Sequence, residues 1–335
     1  MKQTEKLFKE TGKLIKNAGT ISFELFKIMI PVVIAVKILQ EFGLIGYIAA
    51  PLGPIMKTVG LPPETGLIWA TALINNIYSG LIVFLSLSKD LALTSAQATI
   101  LGAMILVAHS LPVELRVVQS SGPRIIFQGL ARLFGAFALG FILHFIFSEL
   151  NVLNNTATVL LTPDKTNIDE TILQWAIGEA RNLISIYFVI LGLLIVMRIL
   201  SALKILTAMD FLLRPVLKLM GIGPKASALT VVGLTMGLSY GGGMIIHEVK
   251  SGKISHKDVF YSLTLMSLCH SLIEDTLLLM MIGGHISGLF WGRLVFSMLF
   301  VAILVQLTKI LPEKWNDKIF WVNTGLTNYA TKQLD

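Results

Sequence analysis

The chain has 335 residues, 54% of them hydrophobic and 14% charged, with a mean hydropathy of +0.77, where soluble domains carry about 25% charged residues. That composition excludes a soluble globular protein and reads as a polytopic membrane protein; the single cysteine, Cys269, lies in an apolar run and excludes an internal disulfide framework. The net charge of +7 does not point to nucleic acid, because the basic residues gather in short segments between apolar runs, as topology signals do.

Residues 1–20 interleave Lys2, Lys6, Lys9, Lys13 and Lys16 with Glu5 and Glu10, the pattern of a short amphipathic helix on the anionic cytoplasmic surface. The apolar run that follows holds Glu24 and Lys27 and ends without a small-residue cleavage site, so it is expected to remain as a span rather than be removed as a signal peptide. A spanning helix needs about 20 mostly apolar residues, which places the first span over 21–40, kinked at Pro31. Residues 42–63 carry Pro51, Gly53, Pro54, Gly60, Pro62 and Pro63 and predict a short interfacial helix ending near Val59. Residues 64–88 are long enough to cross once, yet Asn75-Asn76-Ile77-Tyr78-Ser79-Gly80 falls at their middle. Two half-helices meeting at a turn are expected, tolerated at membrane depth only against protein or a water-filled cavity.

Spans are then expected at 94–118, with His109 near the midpoint, and at 125–147. Residues 149–172 form a polar linker rich in Asn, Asp and Glu. Beyond it come a span at 174–197, a basic interfacial stretch at 198–225, and a broken segment at 226–249 centred on Ser239-Tyr240-Gly241-Gly242-Gly243. Spans at 258–282 and 288–310 and a polar tail complete the chain.

The pattern His-Ser-Leu-x-x-(Glu/Asp) occurs twice, at His109 to Glu114 and at His270 to Asp275, 161 residues apart. The same offset pairs Pro54 with Pro215, Lys57 with Lys218, Gly60 with Gly221, Pro63 with Pro224, Gly80 with Gly241, Gly122 with Gly283 and Arg132 with Arg293. Pairs of Pro, Gly, His and Arg are far more telling than chance agreement among Leu and Ile, so an internal repeat is expected. Placing the basic segments on the cytoplasmic side puts 149–172 outside and makes 64–88 and 226–249 enter and leave by one face. An odd number of spans per copy inverts the second copy.

The expected fold is thus an all-α membrane protein of two inverted-topology repeats, each of three transmembrane helices, one re-entrant helical hairpin and an interfacial helix. The expected layout is a cytoplasmic segment 1–20, repeats at 21–148 and 173–310 flanking the external linker 149–172, and a cytoplasmic tail 311–335. An eight-span bundle with Gly-kinked helices is the structural alternative.

An ionisable group at bilayer mid-depth costs about 2.5–3.5 kcal/mol, which makes a pathway role the default. His109, Ser110, Glu114, His270, Ser271, Glu274 and Asp275 are therefore candidate solute or ion ligands. His270 and Glu274, four apart, are expected on one helical face, and Pro112 is expected to unwind Glu114 towards the site. Imidazole with carboxylate suits metal ligation through His109 and His270, proton relay, or hydrogen bonding to a polar solute. The alternative is a helix-packing network worth about 0.6 kcal/mol per contact.

The hairpin tips add Asn75, Asn76, Tyr78 and Ser79 in one half and Ser239, Tyr240, Gly241 and Gly242 in the other, where half-helix ends offer unpaired backbone groups. For the glycines, close helix packing is the competing explanation. Arg132 and Arg293 lie within about two turns of their spans' starts, where snorkelling to the headgroups is the first expectation; facing inwards, they are charge partners for Glu114 and Asp275 or attract an anion. His144, His247 and His285 sit near segment ends and read as interfacial. The sequence holds no phosphate-cradling loop, no H-E-x-x-H and no nucleophile-base pair, so no enzyme is expected.

The two punctuated stretches leading into broken polar segments, Pro54 to Gly80 and Pro215 to Gly243, resemble the nucleoside-recognition or "Gate" membrane family, over residues 25–145 and 185–305. That resemblance implies a pore-and-gate module of the kind shared by concentrative nucleoside carriers, the membrane domain of bacterial ferrous-iron permeases and spore-maturation membrane proteins. The chain departs from the permeases in holding no GTPase domain, and from the nucleoside carriers in being shorter and built of two similar halves, so no substrate carries over.

The function expected is a secondary carrier moving a small polar or charged solute through a midplane site between inverted repeats, coupled to a proton or cation. The alternatives are a divalent metal permease and a non-transporting scaffold. No cofactor is expected beyond a coupling proton, cation or divalent metal. The expected partners are the lipid bilayer and a small polar or ionic solute, with room for a homo-oligomer and none for nucleic acid. The expected location is the cytoplasmic (inner) membrane, crossed several times, with both termini cytoplasmic.

Overall fold

The structure is a computed structural model that describes residues 2–44, 47, 50–88, 91–160, 171–237, 244, 248 and 254–321. Three expectations of the sequence fall outside those residues: the second hairpin tip at Ser239 to Gly243, His247, and the tail beyond 321; the loop residues Lys89, Asp90, Lys250 and Lys253 lie outside them as well.

The described residues are helical, with two isolated β-bridges, Thr94 to Thr156 and Pro123 to Trp321. Helix α1 (Lys2–Glu41) runs unbroken for 40 residues through Pro31 and across the expected boundary at residue 20. After the short α2 (Gly53–Thr58) come α3 (Thr65–Ile74) and α4 (Ile77–Leu87), then α5 (Ser95–Val107), α6 (Leu111–Gln119) and α7 (Ile125–Glu149). The second half contains α8 (Ile172–Ala202), α9 (Ile205–Leu219), α10 (Pro224–Met236), α11 (His256–Leu268) and α12 (Glu274–Met280). A π-helical stretch over Ser287–Gly292 leads into α13 (Arg293–Ile310), and α14 (Glu313–Ile319) follows.

Local chemistry explains the boundaries. Helices α3 and α4 form a hairpin because Asn75 ends one and Asn76, in extended conformation, caps the other by accepting a bond from Ser79 N at 2.9 Å. Gly80 lets the arms touch: a Cβ there would lie 2.7 Å from the Ala72 Cβ and 3.2 Å from Ile68 O. Helix α5 starts at a capping box between Thr94 and Gln97. Helix α11 starts at Ser255, which accepts from Asp258 N at the positions that correspond in the repeat.

The repeat extends to backbone conformation. Left-handed residues pair at the same offset: Gly43 with Lys204, Gly60 with Gly221, Ser110 with Ser271, and Gly122 with Gly283. Burial repeats too, since Ala98 to Val107 and Val259 to Leu268 are each buried without interruption. A helix buried on every side belongs at the centre of a bundle, and α5 and α11 are those helices. Helix α7 lies along both: Gln128 Nε2 donates to Thr264 Oγ1 at 2.7 Å, Gly135 faces Leu268 and Val107, and Gly140 faces Met104. Following α7 from its start, the chain passes α11 towards its C-terminal end and then α5 away from its own. The two buried helices therefore point their C-terminal ends at each other.

The outer surface is apolar where the inside is polar. On α13, Val295, Leu299 and Ile303 are exposed while Arg293, Ser297 and Thr308 are buried; on α7, Phe134, Phe141 and Phe145 are exposed while Gln128 and Arg132 are buried. A water-soluble protein arranges these the other way round. Among the described residues, four stretches are long and apolar enough to cross a membrane: Ser95–Gln119, Ile125–Glu149, Ile172–Ala202 and Ser287–Ile310. Residues 21–40 carry Glu24, Lys27 and Lys37; the stretch at 258–282 is interrupted by non-helical backbone at 269–273, a longer break than the one at 108–110 within Ser95–Gln119.

Part of the expected linker is packed structure. Asn155 O and Leu153 O accept from Ser95 N and Ala96 N, and Leu160 N donates to Met281 O at 2.8 Å, so these residues tie the start of α5 to the end of α12.

Candidate functional site

The expected continuous spans at 94–118 and 258–282 are each broken at their histidine. Helix α5 ends at Val107, Ala108 is not helical, Ser110 has φ 49°, and α6 begins at Leu111. Helix α11 ends at Leu268, Ser271 has φ 44°, and α12 begins at Glu274. Proline does not do the unwinding: Pro112 sits in the first turn of α6, where its missing N–H costs nothing. Nor do His270 and Glu274 share a helical face, since the break separates them.

Each break frees backbone groups that need partners. Neighbouring helices supply some of them: Ser110 N donates to Ala72 O of α3 at 3.0 Å in the first half, and Leu272 N donates to Leu234 O of α10 at 2.8 Å in the second. In the first half Arg132 supplies two more, donating from Nε to Val107 O at 2.9 Å and from Nη2 to His109 O at 2.8 Å, and its Nη1 donates to Glu114 Oε2. A cation thereby covers the C-terminal end of α5, and a carboxylate sits in the first turn of α6, the arrangement helix dipoles favour. Arg132 and Arg293 are both fully buried, which overturns the expectation that they snorkel.

The second half differs. The three guanidinium nitrogens of Arg293 meet no nitrogen or oxygen acceptor among the described residues, and the Cys269 thiol is the polar group beside them. Asp275, which corresponds to Glu114, and Cys269 lie within reach of its charge.

The two breaks meet. His109 Nε2 and His270 Nε2 are 3.1 Å apart, and Glu114 Oε1 is 3.3 Å from each. Their Nδ1 atoms face the carbonyls of Ile105 at 2.9 Å and Met266 at 2.8 Å, again one repeat apart. Asp275 joins the group, with a carboxylate oxygen within 4.8 Å of both imidazoles. Of the residues singled out by sequence, the structure thus brings together His109, His270, Glu114, Asp275 and Arg132, with Arg293 close by. Tyr78 of the hairpin lies within electrostatic reach of Glu274 and Asp275. Ser110 and Ser271 serve as the left-handed hinges, Asn76 is spent on its cap, and Ser79 is wholly buried with an unpartnered hydroxyl among the described residues. His285 packs elsewhere, its N–H donating to Thr99 Oγ1, and His144 lies beside Gly60.

One polar group escaped the sequence reading. Glu179 on α8 accepts from Ser86 Oγ at 3.3 Å and from Asn182 Nδ2 at 3.2 Å. An ionisable side chain inside an apolar run was the signal available, and it was the same signal that marked His270.

Fold and site together define a polytopic helical membrane protein with a buried polar centre. The chain is similar to the uncharacterized membrane protein YvoD of Bacillus subtilis (strain 168), at 25% identity over 299 residues that cover 88% of this chain and 91% of that protein. No protein-family model matches the chain, and no solved structure does.

Proposed function

We propose that this chain is a secondary carrier of the cytoplasmic membrane, built from two inverted repeats and moving a small polar or charged solute through a site between them, coupled to a proton or cation. The observation that carries the reading is the meeting of His109 and His270, one from each repeat, at 3.1 Å in a buried setting. Ionisable groups are rarely left in such a place without a pathway role.

Two features support it. The opposed directions of α5 and α11, joined at their C-terminal ends, are what repeats related by an axis in the membrane plane produce. The contrast between Arg132, with its three bonded groups, and Arg293, with no nitrogen or oxygen acceptor among the described residues, suits a carrier resting in one of two end states. In the other state the second half takes the bonded arrangement and the first gives it up. The α3-α4 hairpin, ending beside the breaks, is read as re-entrant, and the Gate resemblance is kept as part of this proposal.

The test is solute uptake or electrogenic current in proteoliposomes. His270→Ala is expected to lower flux at least tenfold while the protein remains monodisperse; flux equal to wild type removes the assigned role.

A further inference from the structure

A carbonyl oxygen only accepts, so the Nδ1 of His109 against Ile105 O and that of His270 against Met266 O each carry a hydrogen. In the neutral imidazole the other nitrogen is then a bare lone pair, and these two lone pairs are aimed at each other across 3.1 Å. Glu114 Oε1, a third acceptor, stands 3.3 Å from each. Three electron-pair donors thus form a nearly equilateral triangle.

Two ligand atoms each about 2.1 Å from one first-row ion, at angles between octahedral and tetrahedral, are about 3.0–3.4 Å apart. All three edges of the triangle fall in that interval. The surroundings fit as well: an Nδ1–H bonded to a backbone carbonyl is the usual support of a metal-bound imidazole, and Arg132 engages Glu114 Oε2 and leaves Oε1 to the centre. Asp275 offers a fourth oxygen from the opposite half.

We propose that His109, His270 and Glu114, with Asp275 completing the set, bind a first-row divalent cation of the Zn2+ or Fe2+ type. Two imidazoles disfavour Ca2+ and Mg2+, and a nitrogen and oxygen donor set without thiolate disfavours Cu+. The two ligand carboxylates, Glu114 and Asp275, are matched by the guanidinium groups of Arg132 and Arg293, so little of their negative charge is left to lock the ion in. That the ion is cargo rests on the carrier reading; that it binds does not. A proton shared by the two rings is the competing occupant.

Purified full-length protein in detergent, stripped of metal, is titrated with Zn2+ against a chromophoric chelator, and Co2+ is added in parallel to read its visible absorption. One equivalent is expected, with affinity lowered about a hundredfold or more by His109→Ala, His270→Ala or Glu114→Gln and unchanged by His144→Ala or His285→Ala. X-ray absorption on the Zn2+-loaded wild type keeps the test open should the alanine variants fail to fold, and two coordinated imidazoles are expected. The site is overturned by absence of stoichiometric binding, the result a shared proton predicts, by binding indifferent to both histidines, or by fewer than two imidazoles on the ion. Binding without Zn2+ flux in proteoliposomes upholds the site and overturns only the ion's role as cargo.

Discussion

Arg132 and Arg293 occupy the same place in the repeat and are both withdrawn from solvent, yet only one is satisfied by described partners. Removing one member of a buried ion pair costs about 3–5 kcal/mol because the other is stranded. Arg132→Met is therefore expected to destabilise the protein by about that much, leaving Glu114 and two carbonyls without their donor. Arg293→Met deletes a desolvated cation that makes none of those three bonds among the described residues, and its cost is expected to be smaller, about 1 kcal/mol, since desolvation offsets much of its attraction to Asp275. Denaturation of both variants in the same detergent compares them; equal losses would show that Arg293 is held as firmly as its counterpart. The sequence marked both arginines but not their burial, because distance from a span's start says nothing about which way a side chain faces.

At the level of elements, the α3-α4 hairpin depends on one cap and one close approach. Asn76→Ala removes the side-chain acceptor for Ser79 N and is expected to cost about 1 kcal/mol. Gly80→Ala forces a methyl against the Ala72 Cβ and is expected to cost about 1–3 kcal/mol. Thermal melting in detergent checks both, and Gly80→Ala at wild-type stability would mean the arms can part. This hairpin was legible beforehand, since Asn75 and Asn76 in an apolar run compete for backbone bonds that a continuous helix would need. The breaks at His109 and His270 were not legible. Apolar residues flank them on both sides, composition does not change, and the only breaker in view, Pro112, stands after the break in the first turn of the next helix. Their partners were equally hidden: carbonyls of Ala72 and Leu234, distant in sequence, accept from the freed N–H groups.

For the molecule as a whole, the repeat was legible from the doubled His-Ser-Leu pattern, and the structure extends it to caps, buried runs and left-handed residues. The proposed inversion of the repeats makes a topological prediction. Cysteines placed at Lys89 and at Lys253 are expected to react with a membrane-impermeant thiol reagent from opposite faces, over a low background because Cys269 is buried. Labelling of both from the same side would rule out the proposed inversion. The membrane assignment itself is independent of that outcome, resting on apolar side chains outside and polar ones within.

Each imidazole at the centre is clamped by a carbonyl of the helix turn just before it, Ile105 for one ring and Met266 for the other. Each ring is oriented from within its own half, so the gap between the two nitrogens records how one half is seated against the other. The nitrogen resonances of these two side chains are in consequence a built-in displacement gauge. They register any rocking of the halves without an attached label.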